Sequence, residues 1–127
     1  MNQNGKTVLV VDDDPDTRDY LGTVLEDNGL STVLAGDGSE ALEKIDENRP
    51  DLVTLDVTMP EKSGVAVYRA LKESEQLKDI PVIIITGVSD DFKKFISSRR
   101  QVPAPDGYIS KPVDFEQFLK VVGDLVG

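Results

Sequence analysis

The chain has 127 residues, enough for one domain with a buried core but with little room for a second. Its 24 acidic and 14 basic residues give a net charge of −10. Direct binding to nucleic acid or to an anionic membrane surface is therefore not expected, because both attract basic surfaces. The chain has no cysteine and no histidine, which excludes disulfides, thiolate metal sites and imidazole ligands. Any bound metal must be held by oxygen atoms, which favours a hard cation such as Mg²⁺.

The start of the chain, residues 1–7, is polar and lacks the apolar stretch of a signal peptide. No apolar run approaches the roughly 20 residues that a membrane span needs. We therefore expect a cytoplasmic protein without membrane insertion. We also expect residues 1–127 to form a single domain. The polar start favours an intact protein, and a piece of a larger regulator or of a hybrid kinase stays open.

Five short apolar runs, rich in β-branched residues, alternate with helical patterns. The predicted strands are Val8–Val11, Thr32–Ala35, Leu52–Leu55, Val82–Ile85 and Tyr108–Ile109. Polar residues that can cap a helix follow each strand, and they are Asp14, Asp37, Ser63, Ser89 and Asp114. This fivefold β-α order predicts an α/β fold with a parallel sheet and helices on both of its faces. Residues 101–107, which include Pro103 and Pro105, are predicted to form a loop before the last strand.

The ends of the predicted strands carry most of the chemistry. Asp12 and Asp13 follow the first strand, Asp56 follows the third, Thr86 follows the fourth and Lys111 follows the last. Ligands of open α/β sheets bind at these carboxyl ends, where the strand order reverses. Several carboxylates in one crevice repel one another, and bound Mg²⁺ relieves that repulsion. Together these carboxylates, the Thr86 hydroxyl and the Lys111 ammonium suit phosphoryl transfer, with a carboxylate as the nucleophile. Asp14, ahead of Pro15, is interpreted as a helix cap and not as a third metal ligand.

In this order and at these strand ends, the motifs resemble the receiver domain of bacterial response regulators over nearly the whole chain, from Thr7 to about Leu125. The residues that carry the resemblance are Val10–Asp13, Asp56 with Met59, Pro60 and Gly64, Ile85–Gly87, and Tyr108 with Lys111 and Pro112. The resemblance implies a (βα)5 flavodoxin-like, doubly wound parallel sheet with the strand order 2-1-3-4-5. It also implies a regulatory domain that accepts a phosphoryl group and is not a conventional enzyme.

The resemblance further implies a role for each matching position. Asp56 would accept the phosphoryl group from a histidine kinase or a histidine phosphotransfer protein. Asp13, Asp56 and the backbone carbonyl of Thr58 would bind Mg²⁺ or Mn²⁺, with Asp12 acting through a bound water. Lys111 would pair with the phosphoryl oxygens.

Two further positions are implied to form a switch. Thr86 would turn toward the phosphate and Tyr108 would follow it inward, which would change the surface that a downstream protein recognises. The resemblance does not identify that downstream partner, and a dimer that forms on phosphorylation is one of the outcomes left open. The stretch from Arg99 to Asp106 departs from the Gly-Ala pair that many receivers have before the last strand, so the partner-facing surface is the least predictable part.

Three other functions compete with this interpretation. A phosphotransferase of the haloacid-dehalogenase type would have an acid two residues after its nucleophile, where this chain has Thr58. A Rossmann-type nucleotide binder would have a glycine-rich turn after the first strand, where this chain has acidic residues and a proline. The alternative that stays open is a pseudo-receiver, which has the same fold and binds partners without being phosphorylated.

Overall fold

The computed structural model of the chain describes residues 6–56, 63–86, 106–110 and 113–126, without the side chains of residues 63–65, 86 and 110. The strands are β1 (Thr7–Val11), β2 (Ser31–Ala35), β3 (Leu52–Asp56), β4 (Val82–Thr86) and β5 (Gly107–Ser110). The helices are α1 (Pro15–Asp27), α2 (Gly38–Glu47), α3 (Ser63–Glu73) and α4 (Phe115–Val126). All five predicted strands are confirmed, each one or two residues longer than expected. The helix predicted to begin near Ser89 and residues 101–105 of the predicted loop 101–107 lie outside the described residues, and Gly107 belongs to β5 and not to that loop.

The five strands form one parallel sheet in the order β2-β1-β3-β4-β5, which confirms the expected fold and topology. From β1 the chain moves outward to β2, and from β3 it moves outward in the opposite direction. The order therefore reverses between β1 and β3, so the crevice for a ligand lies at the carboxyl ends of these two strands. Within the described ranges no helix has the length and apolar character needed to cross a membrane.

Alternate residues of each strand supply two apolar cores, one on each face of the sheet. Leu9 and Val11 point toward α2 and α3, whereas Val8 and Val10 point toward α1 and α4. The helices complete these layers with their apolar stripes, for example Leu71 of α3 and Phe118 of α4, both fully buried. Each such aliphatic or aromatic side chain contributes about 1.5–3 kcal/mol to stability when it is fully buried.

The caps predicted at Asp14, Asp37 and Asp114 are confirmed, whereas Ser63 lies inside its helix and does not precede it, and Ser89 is outside the described residues. The Asp37 carboxylate accepts the Glu40 N–H at 2.8 Å at the start of α2, and Asp114 accepts the Gln117 N–H at 3.2 Å at the start of α4. The spacing of Asp37 and Glu40 predicts a capping box, but the Glu40 carboxylate accepts the N–H of Gly36 at 2.7 Å, one residue before the N-cap. α3 begins at Ser63, which is its first helical residue.

Candidate metal and phosphoryl-acceptor site

Three aspartates meet at the carboxyl edge of the sheet, at the switch point between β1 and β3. Asp56 is the last residue of β3, and Asp12 and Asp13 directly follow β1. Val11 of β1 is paired with Leu55 of β3, and Asp12 and Asp56 are the residues that directly follow this pair. Asp12 and Asp56 are each only 1% exposed, whereas Asp13 is exposed to solvent.

One carboxylate oxygen from each of these three residues lies within 4.8 Å of the other two. At such separations a pair of like charges costs on the order of 1–4 kcal/mol, depending on the local dielectric constant. A divalent cation among the oxygens converts this repulsion into attraction. Mg²⁺ and Mn²⁺ both prefer hard oxygen ligands of this kind. The donor set and its partial burial therefore fit a small divalent cation, with Asp13 facing the solvent.

Asp12 is held in place through its backbone and through its side chain. Its N–H donates to the carbonyl of Ala35 at 3.1 Å, which extends the β1–β2 ladder by one bond. Its Oδ1 accepts the N–H of Asp14 at 2.9 Å. Its carbonyl oxygen accepts a hydrogen bond from Arg18 Nη1 at 3.1 Å. These contacts fix both the main chain and the carboxylate of this buried residue.

Asp14 is the N-cap of α1, as the sequence predicted. Its Oδ1 accepts the N–H of Asp16 at 3.2 Å and its Oδ2 accepts the hydroxyl of Thr17 at 2.7 Å. Pro15 occupies the first position of the helix, where its missing N–H costs no hydrogen bond. The acidic triplet after β1 is thus divided between a cap and two carboxylates of the cluster.

The remaining predicted site residues are described only in part. Thr86 is the last residue of β4, in register with Ser110 of β5, and its side chain is outside the described part. Thr58 and Lys111 lie outside the described residues altogether. The structure therefore brings together Asp12, Asp13 and Asp56, and the roles of Thr58, Lys111 and the Thr86 hydroxyl stay predictions.

Tyr108, the other predicted switch residue, is half-buried on β5 and packs against the core between the sheet and α2 and α3. Beside it the structure reveals a cluster that the sequence analysis missed, which we call the α3–β5 cluster: Tyr68, Lys72, Asp106 and Tyr108. Lys72 Nζ lies 3.7 Å from Asp106 Oδ2 and 5.8 Å from the centre of the Tyr68 ring. The Lys72 side chain is only 7% exposed.

The α3–β5 cluster is tied to the backbone at several points. Lys72 Nζ donates to the carbonyls of Lys78 at 3.2 Å and Ile80 at 3.3 Å, and the Asp106 carboxylate accepts the N–H of Val82 at 2.9 Å. The helix spacing of Tyr68 and Lys72, four residues, and the strand spacing of Asp106 and Tyr108, two residues, put each pair on one face. Only the tertiary packing brings the two pairs together, so the sequence carried no direct signal of it.

Burial raises the pKa of the Tyr68 hydroxyl well above its ordinary value, and the nearby Asp106 carboxylate and Tyr108 raise it further. Burial also raises the pKa of Tyr108. Both tyrosines therefore stay protonated throughout the physiological pH range and act in the cluster as neutral hydroxyls.

The response regulator receiver domain family model matches residues 8–123, which is nearly the whole chain. The chain belongs to the response regulator receiver domain family. It is thus a receiver domain of two-component signalling, a class of regulatory phospho-acceptor domains that typically bind Mg²⁺.

The receiver domain is similar to curated and solved relatives over nearly their full lengths. It is 32% identical to the polar-differentiation response regulator DivK of Brucella anthropi, covering 96% of this chain and 97% of the relative. The chemotaxis protein CheY4 of Vibrio cholerae is 32% identical, with a TM-score of 0.83 over 94% of this chain and 98% of that one. The signal receiver domain of a histidine kinase from Syntrophus aciditrophicus is 34% identical, with a TM-score of 0.84 over 96% and 90%.

Proposed function

We propose that this receiver domain accepts a phosphoryl group on Asp56 from a histidine kinase or a histidine phosphotransfer protein. The observation that carries the proposal is the cluster of Asp12, Asp13 and Asp56, whose carboxylate oxygens lie within 4.8 Å of one another. A nucleophilic carboxylate needs a neighbouring positive charge before an anionic phosphoryl group can approach it. The two other carboxylates supply the ligands for that charge.

In this proposal Asp13, Asp56 and the backbone carbonyl of Thr58 hold Mg²⁺ or Mn²⁺, and Asp12 acts through a bound water. A bound divalent cation neutralises part of the negative charge on the carboxylates and on the phosphoryl oxygens. Lys111 adds a positive charge on the other side of the phosphoryl group. The buried, hydrogen-bonded Asp12 supports this assignment, because its carboxylate is held in one orientation.

The transfer itself is a simple displacement at phosphorus. A carboxylate oxygen of Asp56 forms a bond to the phosphorus of the donor's phosphohistidine while the nitrogen–phosphorus bond breaks. The donor imidazole keeps that electron pair and takes up a proton. The product is an acyl phosphate on Asp56, which water later hydrolyses to return the free carboxylate and inorganic phosphate.

Phosphorylation is proposed to change the partner surface through Thr86 and Tyr108. Thr86 ends the strand next to Asp56, and Tyr108 lies half-buried on the edge strand beyond it. Tyr108 packs against the core without being fully buried, so a movement of its ring would change the exposed surface beside β5, which supports a switch role. We further propose a single domain over residues 1–127, a cytoplasmic location, and a protein as the downstream target.

The experiment incubates the purified chain with Mg²⁺ and acetyl phosphate and measures its intact mass. We expect the added mass of one phosphoryl group, its loss when Mg²⁺ is chelated, and no adduct on Asp56→Asn. Asp19→Asn is the matched control, because Asp19 is an exposed carboxylate of α1 outside the cluster. A wild-type chain without an adduct would support the pseudo-receiver alternative and overturn the proposal.

A further inference from the structure

The Arg18 side chain, from the second turn of α1, reaches back to the carboxylate cluster. Its Nη1 donates to the backbone carbonyl of Asp12 at 3.1 Å, and the residue is half-buried. The contact crosses from the helix to the β1–α1 loop. It therefore ties the first helix to the peptide unit that joins Asp12 to Asp13.

Gly36, at the end of β2, leaves the space that this contact needs. A Cβ atom at position 36 would lie 2.7 Å from Arg18 Nη1, closer than real Cβ contacts allow. The neighbouring Glu40 carboxylate accepts the Gly36 N–H at 2.7 Å, which holds the glycine backbone in place. A side chain at position 36 would therefore displace the guanidinium and leave the backbone where it is.

A cation in this place has an unfavourable electrostatic effect on metal binding. Arg18 brings a permanent positive charge close to carboxylates that would bind a divalent cation, and like charges repel. If charge were its only effect, removing Arg18 would strengthen Mg²⁺ binding. If Arg18 instead holds the Asp12 carbonyl, removing it would weaken Mg²⁺ binding, because the loop that carries two ligands would lose one of its restraints.

We propose that Arg18 is a positioning residue of the metal site, which acts through the Asp12 carbonyl and depends on the absence of a side chain at Gly36. This inference rests on the proposed metal-binding function of the cluster. Arg18 fixes the carbonyl of the peptide unit between Asp12 and Asp13, while the Asp12 N–H bond to Ala35 fixes the preceding peptide unit and the Asp14 N–H holds the Asp12 carboxylate. Residues that orient metal ligands commonly change metal affinity by about 10–100-fold when they are replaced.

The test is a calorimetric titration of the whole chain with Mg²⁺ alone. For Arg18→Met we expect affinity lower by about 10-fold, at the low end of that range because the lost positive charge partly offsets the effect. Arg18→Lys keeps a donor and the charge, and should recover part of the affinity. Gly36→Ala leaves the net charge unchanged, and we expect it to weaken binding by about 3–10-fold.

Arg49→Met is the matched control. Arg49 is exposed between α2 and β3, at the opposite end of the sheet, and its removal changes the net charge by the same amount. We expect its Mg²⁺ affinity to equal or slightly exceed that of the wild type.

Each outcome separates the inference from the function on which it depends. A wild-type chain that does not bind Mg²⁺ would overturn the proposed metal site itself. Wild-type binding together with unchanged or tighter binding by Arg18→Met would overturn the role of Arg18 alone, as would the absence of any recovery in Arg18→Lys. If Arg18→Met does not fold in a urea titration, Gly36→Ala decides, because the described atom nearest to its added Cβ is the end of the flexible Arg18 side chain.

Discussion

The carboxylate cluster and the α3–β5 cluster both bury charged groups beside the same sheet, but they balance charge in different ways. Asp12, Asp13 and Asp56 have the same sign, and two of the three are almost fully buried. In the α3–β5 cluster Lys72 faces Asp106 and two backbone carbonyls. The described side chains of the second cluster include charges of both signs, whereas the three described carboxylates of the first have one sign and suit an added divalent cation.

This difference separates a structural cluster from a binding site. Charges of opposite sign that satisfy one another stabilise a particular packing, and they gain little from any further ligand. Like charges that the fold holds together repel one another unless a counter-charge offsets them, and such clusters are typical of functional sites. The comparison predicts that substitutions in the two clusters change stability in opposite directions.

The largest effect is expected at Lys72. Lys72→Met removes the donor to two carbonyls and leaves Asp106 without its cation. Breaking a fully buried pair costs about 3–5 kcal/mol. Because Asp106 is 38% exposed, we expect a loss of about 2–3 kcal/mol in the free energy of unfolding, measured by urea denaturation.

Lys78→Met is the control for that substitution, because Lys78 is an exposed lysine that pairs with Glu75 on the surface. We expect little change in its unfolding midpoint. An equally small effect of Lys72→Met would show that the α3–β5 cluster does not stabilise the fold in the way described.

The next effect concerns Tyr68 at alkaline pH. Its pKa is raised in the folded chain by burial, by Asp106 and by Tyr108, and is about 10 when the chain is unfolded. Below pH 10 the Tyr68 hydroxyl is protonated in both the folded and the unfolded chain, so its contribution to the free energy of unfolding is fully present. As the pH rises further the unfolded state ionises first, and stability falls by up to about 1.4 kcal/mol per pH unit for this group.

Tyr68→Phe removes this titration without removing the ring from the core. We expect the unfolding free energy of the variant to fall less steeply than that of the wild type above pH 10, when both are followed by urea denaturation from pH 8 to 11. Parallel slopes for the two proteins would contradict the assigned burial of the hydroxyl.

The smallest effect has the opposite sign and belongs to the carboxylate cluster. Asp13→Asn removes one of three like charges, and because Asp13 is exposed we expect a gain of at most about 1 kcal/mol in the free energy of unfolding without Mg²⁺. Adding Mg²⁺ should stabilise the wild type, since a ligand of the folded state raises its stability, and should stabilise the variant much less. Asp19→Asn, which removes an exposed charge elsewhere on α1, is the control. Destabilisation of Asp13→Asn in the absence of Mg²⁺ would contradict the repulsion between the carboxylates.

The sequence was sufficient for the described strands and helices and for the position of the aspartates, because both depend on local patterns. Alternation within a strand and polar residues at its end are visible in a few consecutive residues, and the parallel order then brings Asp12, Asp13 and Asp56 to one edge. The strand order itself came from the resemblance to a family. The caps at Asp14 and Asp37 were likewise predicted from neighbouring residues.

What the sequence did not indicate depends on contacts between distant elements. Lys72 lies on a helix and Asp106 precedes an edge strand, and no periodicity connects them. The contact of Arg18 with the Asp12 carbonyl depends on the space beside Gly36, which is a property of the packed sheet and helix. In both cases the informative feature is a charged side chain at a position that local pattern would assign to solvent.

The most direct test of the central claim is to locate the phosphoryl group on the chain. Acyl phosphates are reduced by borohydride, so the phosphorylated protein can be trapped, digested and sequenced by mass spectrometry. We predict that Asp56 is the modified residue, in amounts that depend on Mg²⁺, and that Asp12, Asp13 and Asp19 are unmodified. Modification of another aspartate in the wild type, or none at all, would contradict the assignment of Asp56 as the phosphoryl acceptor.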